Sequence, residues 1–260
     1  MKIALVSLNQ IWEDKEANLN LCEQYIKKAS SLNSNLIIFP EMTLTGFSNN
    51  ISLTAEDFEN SETINSFSIL AKNFNIAVNF GVVIKDKDKA LNKSILIDNF
   101  GNILAHYSKI HPFSFANEDK FFNSGDKLTV VEFKDFKIGL TICYDLRFPE
   151  LYSSLATKCN LIVNIANWPS KRVEHWNTLL KARAIENQIF VAGINRVGID
   201  GNGLEYIESS NIFNANGEEL EFERIDDMKI YKIDKNFTKE FKNKFNTTND
   251  RKVDFYKEIL

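Results

Sequence analysis

Short, nearly unbroken apolar runs alternate along this chain with longer segments whose apolar residues recur every three or four positions. The first kind reads as strands buried on both faces and the second as amphipathic helices, so the alternation predicts an α/β fold with helix-covered sheets. Strands are expected at 2–8, 35–40 and 76–84, with helices at 15–31 and 55–74 between them. A strand-rich middle near 90–107 follows, ending in the run Asn102 to His106. Phe136 to Ile142 is apolar and β-branched enough for a buried strand, and Phe148 to Thr157 reads as helix. The rhythm then returns with a strand at 161–166, a helix at 174–187 and a strand at 189–195. Strands near 205–213, 218–223 and 228–232 precede a polar tail rich in Lys and Asn.

Three of the apolar runs end on a residue capable of chemistry. Cys143 stands where the strand Phe136 to Ile142 stops and a helix is about to begin. A sharp turn there exposes the side chain and aims free helix N–H groups at it, which favours thiolate over thiol. The residues alone leave the alternative open, since most free cysteines are small buried hydrophobes. Leu36 to Phe39 leads through Pro40 to Glu41, a carboxylate at the carboxyl edge of a sheet, where open α/β sheets gather ligands. Lys109 follows the run ending at His106 and has apolar and aromatic neighbours, which makes it an oxyanion partner or a solvated loop lysine.

In the order Glu41, Lys109, Cys143 these positions, with the motifs around them, resemble the nitrilase superfamily of carbon–nitrogen hydrolases. The matching motifs are Pro40-Glu41-Met42 with Thr45-Gly46-Phe47, Asn117-Glu118 with Phe122 and Gly125, and Cys143-Tyr144-Asp145 with Arg147-Phe148-Pro149-Glu150. They continue through Asn167-Trp168-Pro169, His175-Trp176, Ala182 to Gln188, and Asn195-Arg196-Val197-Gly198. The last stretches, with Asp200 to Tyr206 behind them, look most like the bacterial omega-amidase branch, which hydrolyses the distal amide of 2-oxo acids such as 2-oxoglutaramate. The resemblance implies a four-layer αββα sandwich spanning residues 1–260 as one domain, with a core at about 2–232, a tail at about 233–260, and homodimers packing sandwich against sandwich.

The resemblance also implies roles. Cys143 is the expected nucleophile, Glu41 the general base, and Lys109 with the Tyr144 backbone N–H the oxyanion donors. Amides are poor electrophiles, so the thiol must lose its proton and the developing oxyanion must be held. Glu118 would position Lys109 or polarise the amide; read without the resemblance, it is a solvated loop acid. Arg147 and Arg172 are candidate donors to a substrate carboxylate, because arginine binds carboxylates at two points. Arg147 could equally pair with Glu150 or Asp145, and Arg172 could be solvated. Trp168 and Phe47 are expected as apolar pocket wall or as plain core.

Composition bounds the alternatives. At 260 residues, with 44% hydrophobic and 25% charged residues, the chain can bury a large core. A net charge of −4 with scattered lysines offers no basic face for nucleic acid. Met1 to Leu8 is too short an apolar run for a signal peptide, and no stretch approaches the ~18 apolar residues of a membrane helix. Cys22, Cys143 and Cys159 form neither a metal spacing nor an even disulfide set, which suits a reducing cytoplasm. His106, His111 and His175 are too dispersed for a metal motif, so no metal or cofactor is expected. Asn92-Lys93-Ser94 and Asn246-Thr247-Thr248 match the glycosylation sequon by chance, and Ile199 to Gly203 is a turn rather than a calcium loop.

What the resemblance implies as partner is a small 2-oxo acid amide, cleaved to acid and ammonia through a cysteine thioester. Competing readings keep the triad but change the substrate to a nitrile, an N-carbamoyl amine or deaminated glutathione. Others make His111 or His175 the base for Cys143, or make the protein a catalytically silent binding scaffold.

Overall fold

Successive residues of the first strand, β1 (Lys2–Val6), belong to different hydrophobic layers: Ile3 and Leu5 lie in one buried cluster, Ala4 and Val6 in another. The period of two in a strand apolar on both faces marks a sheet covered on both sides. The computed structural model describes residues 1–259. After β1 come α1 (Lys15–Ser31), β2 (Leu36–Ile38), α2 (Ile51–Thr54), α3 (Glu62–Asn73), β3 (Ala77–Asp86), β4 (Lys89–Ile97) and β5 (Ile103–Ser108). The central part holds α4 (Glu118–Phe121), β6 (Val130–Phe133), β7 (Phe136–Ile142), α5 (Pro149–Ala156), β8 (Leu161–Ala166), α6 (Val173–Asn187) and β9 (Phe190–Asn195). The chain continues through β10 (Gly198–Ile199), β11 (Glu205–Tyr206), β12 (Asn211–Phe213), β13 (Phe222–Ile225) and β14 (Met228–Lys232), then α7 (Asn236–Lys244) and α8 (Val253–Ile259).

Two sheets result, one of seven strands in the order β13-β14-β1-β2-β3-β4-β5 and one of five in the order β12-β9-β8-β7-β6. The parallel strands β1, β2 and β3 sit within the first, and β7, β8 and β9 form the centre of the second. On β7, Gly139 and Thr141 face α5: a β-carbon on Gly139 would meet Leu155 at 3.4 Å, and Thr141 Oγ1 lies 2.9 Å from Tyr152 Oη. The alternate residues Ile138, Leu140 and Ile142 share a core with Ile3, Leu5, Leu36 and Ile38, which closes sheet on sheet. Each such buried aliphatic side chain contributes roughly 1.5–3 kcal/mol.

Helices α1 and α3 cover the outer face of the larger sheet, and α5 and α6 that of the smaller, giving the four-layer αββα sandwich. Helix α1 buries Asn18, Cys22, Ile26 and Ala29, one stripe at helical spacing, and its first turn is capped by Asp14, which accepts the Ala17 N–H at 3.0 Å. Phe67 of α3 stacks on Phe80 of β3, with ring centroids 4.0 Å apart.

Several boundaries differ from expectation. The helix expected from residue 55 begins at Glu62, because Ser61 caps it by accepting the Ile64 N–H at 3.1 Å. The preceding Glu56 is tied down instead, bridging to Ile84 and accepting from Lys15, Ser61 and Thr63. The single strand expected at 205–213 is two, β11 and β12, and the one expected near 218–223 lies at β13. The polar tail folds into α7 and α8: Phe237 packs against Phe190 at 5.6 Å, and the Phe245 carbonyl accepts from Gln188 Nε2 at 2.6 Å. Among the described residues no helix is long and apolar enough to cross a membrane.

Candidate active site

Four strands end at one place. Beyond β2 lies Glu41, beyond β5 Lys109, beyond β7 Cys143 and beyond β8 Asn167. The turn carrying Glu41 has Met42 at φ 46° and is held by Gln10, whose Nε2 donates to the carbonyls of Glu41, Met42 and Thr43 at 3.1, 2.9 and 3.1 Å. Gly81 of β3 lets that turn lie directly on the sheet, since a β-carbon there would come within 2.2 Å of the Met42 nitrogen. Cys143 opens the tight turn Cys143–Arg147 between β7 and α5 with φ 47°, a conformation costly for a non-glycine residue. Its N–H donates to Asn164 Oδ1 at 3.0 Å, which fixes the turn from the neighbouring strand.

Lys109 is clamped between two carboxylates. Its Nζ donates to Glu41 Oε1 at 2.9 Å and to Glu118 Oε1 and Oε2 at 3.0 and 2.8 Å, and all three side chains are at most 1% exposed. Asn92 Nδ2 ties the two acids together at 2.7 Å to Glu41 and 3.0 Å to Glu118. Backbone donors complete the cluster: the Asn167 N–H reaches Glu41 Oε2 at 2.9 Å, and the Phe113 N–H shares Glu118 Oε2 with Lys109, at 2.5 Å. Burial works against the Lys109 charge, but Glu118 and Glu41, with Cys143, outweigh it and hold the ammonium well above the ordinary lysine range. Glu118 is thus part of the buried cluster rather than a solvated loop acid.

The expectation of a resting thiolate at Cys143 is corrected by these surroundings. Burial first, then the Glu41 carboxylate, push the thiol well above the ordinary cysteine value, against the pull of Lys109. The thiol therefore rests protonated, and it donates to the Asn167 carbonyl at 3.9 Å. The backbone N–H of Cys143 is spent on Asn164, while that of Tyr144, second in its turn, has no intrahelical carbonyl to meet.

Cys143 lines a cavity of about 500 Å³ together with Phe47, Phe113, Asn167, Arg172 and Tyr206. Phe47 is pocket wall, with its ring centroid 5.5 Å from Lys109 Nζ. Arg172 lies over the Phe113 ring at 5.6 Å. Arg147, Tyr144 and Trp168 line a narrow extension of about 20 Å³ beside Cys143. Trp168 is mostly support: its backbone is paired with Asn195 at 2.7 and 2.8 Å, and its Nε1 donates to the Arg172 carbonyl at 2.8 Å.

Neither scaffolding partner offered for Arg147 is taken. Asp145 accepts instead from Tyr107 Oη at 2.8 Å, the Ile142 N–H at 3.0 Å and the His111 N–H at 3.1 Å, with His111 Nδ1 2.8 Å away. Arg147 lies 4.8 Å over the Trp168 ring and donates to His175 Nδ1 at 3.3 Å. Among the described residues neither Arg147 nor Arg172 forms an ion pair. Both histidines offered as bases are committed elsewhere, His111 to Asp145 and Phe148, His175 to Arg147. Asn92, Gln10 and Asn164 were missed by sequence reasoning; Asn92, in a sequon by pattern, is 1% exposed and inaccessible to a glycan.

Comparisons with known proteins show the family. Residues 2–230 match the carbon–nitrogen hydrolase family, and the chain belongs to it. Omega-amidase YafV of Yersinia enterocolitica is 37% identical over 218 residues, covering 84% of this chain and 83% of that one. The 2-oxoglutaramate amidase of Paenarthrobacter nicotinovorans is 39% identical over 175 residues, covering 64% and 58%. Among solved structures, XC1258 of Xanthomonas campestris, described as a CN-hydrolase superfamily protein with an arsenic adduct in the active site, superposes with a TM-score of 0.90 at 30% identity, covering 96% of this chain and 97% of that one. The protein is an amide-acting enzyme of the nitrilase superfamily, in its omega-amidase branch.

Proposed function

We propose that this enzyme hydrolyses the terminal amide of small 2-oxo acid amides, 2-oxoglutaramate among them, to the acid and ammonia. The observation that carries the reading is that Cys143 lines a cavity whose wall also holds Arg172, without an ion pair among the described residues, while Glu41 and Lys109 lie in the buried cluster beside the thiol. Names of relatives that act on 2-oxoglutaramate support the substrate class.

In this mechanism Glu41 takes the thiol proton as Sγ of Cys143 bonds to the amide carbon. The oxygen becomes an oxyanion held by the Lys109 ammonium and the Tyr144 N–H; losing one such donor typically costs about 10²–10³-fold in kcat. Glu41 then gives its proton to the amide nitrogen, the carbon–nitrogen bond breaks, and ammonia leaves a thioester on Cys143. Glu41 next deprotonates a water that attacks the thioester, and the departing sulfur recovers the proton. Glu118 acts through Lys109, keeping the ammonium charged and aimed; Asn92 holds both acids in register. Arg172 receives the substrate's distal carboxylate, with Arg147 behind Trp168 and Tyr144 adding positive potential.

The test is ammonia release from 2-oxoglutaramate, 2-oxosuccinamate, glutamine, an N-carbamoyl amine and a simple nitrile. The expected result is preference for the oxo-amides over glutamine, with Cys143→Ala reducing turnover by at least about 10⁴-fold. Equal or better turnover of glutamine or the nitrile would overturn the substrate assignment, and retained turnover in the variant would overturn the mechanism.

A further inference from the structure

Two charged side chains on the cavity wall have no counter-charge among the described residues, and they differ in sign: Arg172 and Glu13. Glu13 is held in place. Its N–H donates to the Thr45 carbonyl at 2.9 Å, Ser48 Oγ donates to its Oε1 at 2.5 Å, and its backbone sits at φ 54°, a conformation kept only where surroundings enforce it. Its neighbours on the wall are neutral: Trp12, Asn49, Asn50 and Asn202. A cavity of about 500 Å³ is about 10 Å across if round, comparable to the Debye length, so a ligand filling it feels both charges with little screening.

We propose that Glu13 is a specificity-determining residue, a charge filter that admits amides bearing one carboxylate and disfavours those bearing a second anionic group. The inference rests on the reading of Arg172 as the carboxylate site. Once Arg172 has taken the first carboxylate, the wall of the main cavity offers no further cation; Arg147 lies in the narrow extension, over the Trp168 ring and bonded to His175. A second anion then meets Glu13 on the wall, and the buried cluster beside Cys143 adds no free positive charge, since its two carboxylates share the single Lys109 ammonium. An amide whose leaving amine is itself an amino acid has such a second carboxylate; one that releases ammonia does not. Like charges about 7 Å apart in a half-wet cavity change kcat/KM by about 5–10-fold. Discrimination by repulsion is a recognised route to specificity where attraction alone would accept both ligands.

The experiment compares native enzyme with Glu13→Gln, which keeps an acceptor for Ser48 and removes the charge. Two oxo-amides are used, identical except that the amide nitrogen carries a methyl group in one and a carboxymethyl group in the other. The expected result is that the variant raises the carboxymethyl-to-methyl ratio of kcat/KM about 5–10-fold, and that raising ionic strength moves the native ratio the same way. Ratios unmoved by both the substitution and salt would overturn the filter. A second readout needs no turnover: protection of Cys143 against iodoacetamide by glutaramate and by glutarate, which differ by one charge. The native protein is expected to favour glutaramate, and the variant to narrow that preference by a similar factor. If no oxo-amide is hydrolysed, the substrate reading fails while the protection ratio still decides for or against Glu13; an unchanged protection ratio overturns the filter.

Discussion

The two ends of the sandwich each carry a cavity of about the same size, and of the two only one adjoins a buried cluster of charged groups. At the amino ends of the parallel strands, a hollow of about 540 Å³ is lined by Met1, Asn35, Asp135, Ile233 and Lys235. At the carboxyl ends lies the cavity of about 500 Å³ over Cys143. In the first, the charges are wet: the Met1 ammonium donates to the Ile233 carbonyl at 2.7 Å, the half-exposed Lys235 and Asp135 pair at 3.1 Å, and Lys134, Lys232 and Asp234 are exposed to solvent. In the second, a lysine and two glutamates are locked together out of water, a thiol is kept protonated against them, and an arginine is left unpaired. Volume therefore says little. What marks the site is charge held in low dielectric at the carboxyl ends of buried strands.

Removing the central charge should show the contrast most strongly. Lys109→Met strands Glu41 and Glu118 in a dry pocket, so kcat is expected to fall about 10²–10³-fold and stability by about 3–5 kcal/mol, read from turnover and from the urea midpoint. A stable, active variant would mean that the clamp is not what sets this end apart. Arg172→Ala is expected to lower kcat/KM for an anionic oxo-amide by about 10–100-fold, mainly through KM, while a neutral amide changes by less than about threefold. Equal losses on both would assign Arg172 to scaffolding.

Smaller effects sharpen the electrostatics. Burial and then the Glu41 carboxylate raise the Cys143 thiol, so removing that negative charge in Glu41→Gln should bring the thiol down. The pH dependence of iodoacetamide alkylation is expected to shift to lower pH in that variant although it no longer turns over substrate. An inflection that stayed put or moved upward would contradict the assignment of Glu41 to the thiol. At the other end, Lys235→Ala removes an exposed pair and should change stability by no more than about 1 kcal/mol and kcat/KM by less than twofold.

Strand ends were the legible part of this site. Glu41, Lys109 and Cys143 each follow an apolar run, and a chemically able residue at such a point stands out against its neighbours. Glu118 did not: in Asn117-Glu118-Asp119-Lys120 it looks solvated, and only the motif resemblance pointed to it, because its burial depends on Lys109 and Asn92 arriving from β5 and β4. Asn92 was hidden for the same reason, since a polar residue inside an otherwise ordinary strand carries no local sign of the two carboxylates it will bridge. The thiol's protonation also escaped, because a turn before a helix favours thiolate only while its donors are free and its surroundings are wet. Among the elements, α7 and α8 were invisible in a polar tail whose anchoring contacts, Phe237 on Phe190 and Phe245 on Gln188, are all long-range.

The most direct test of the account is rapid-quench mass measurement of the intact protein mixed with 2-oxoglutaramate, alongside ammonia release. The expected result is an acyl adduct on the peptide containing Cys143, formed with one ammonia per site in the first turnover and absent from Cys143→Ala. Ammonia released without any adduct on Cys143, or at an undiminished rate by the variant, would contradict it.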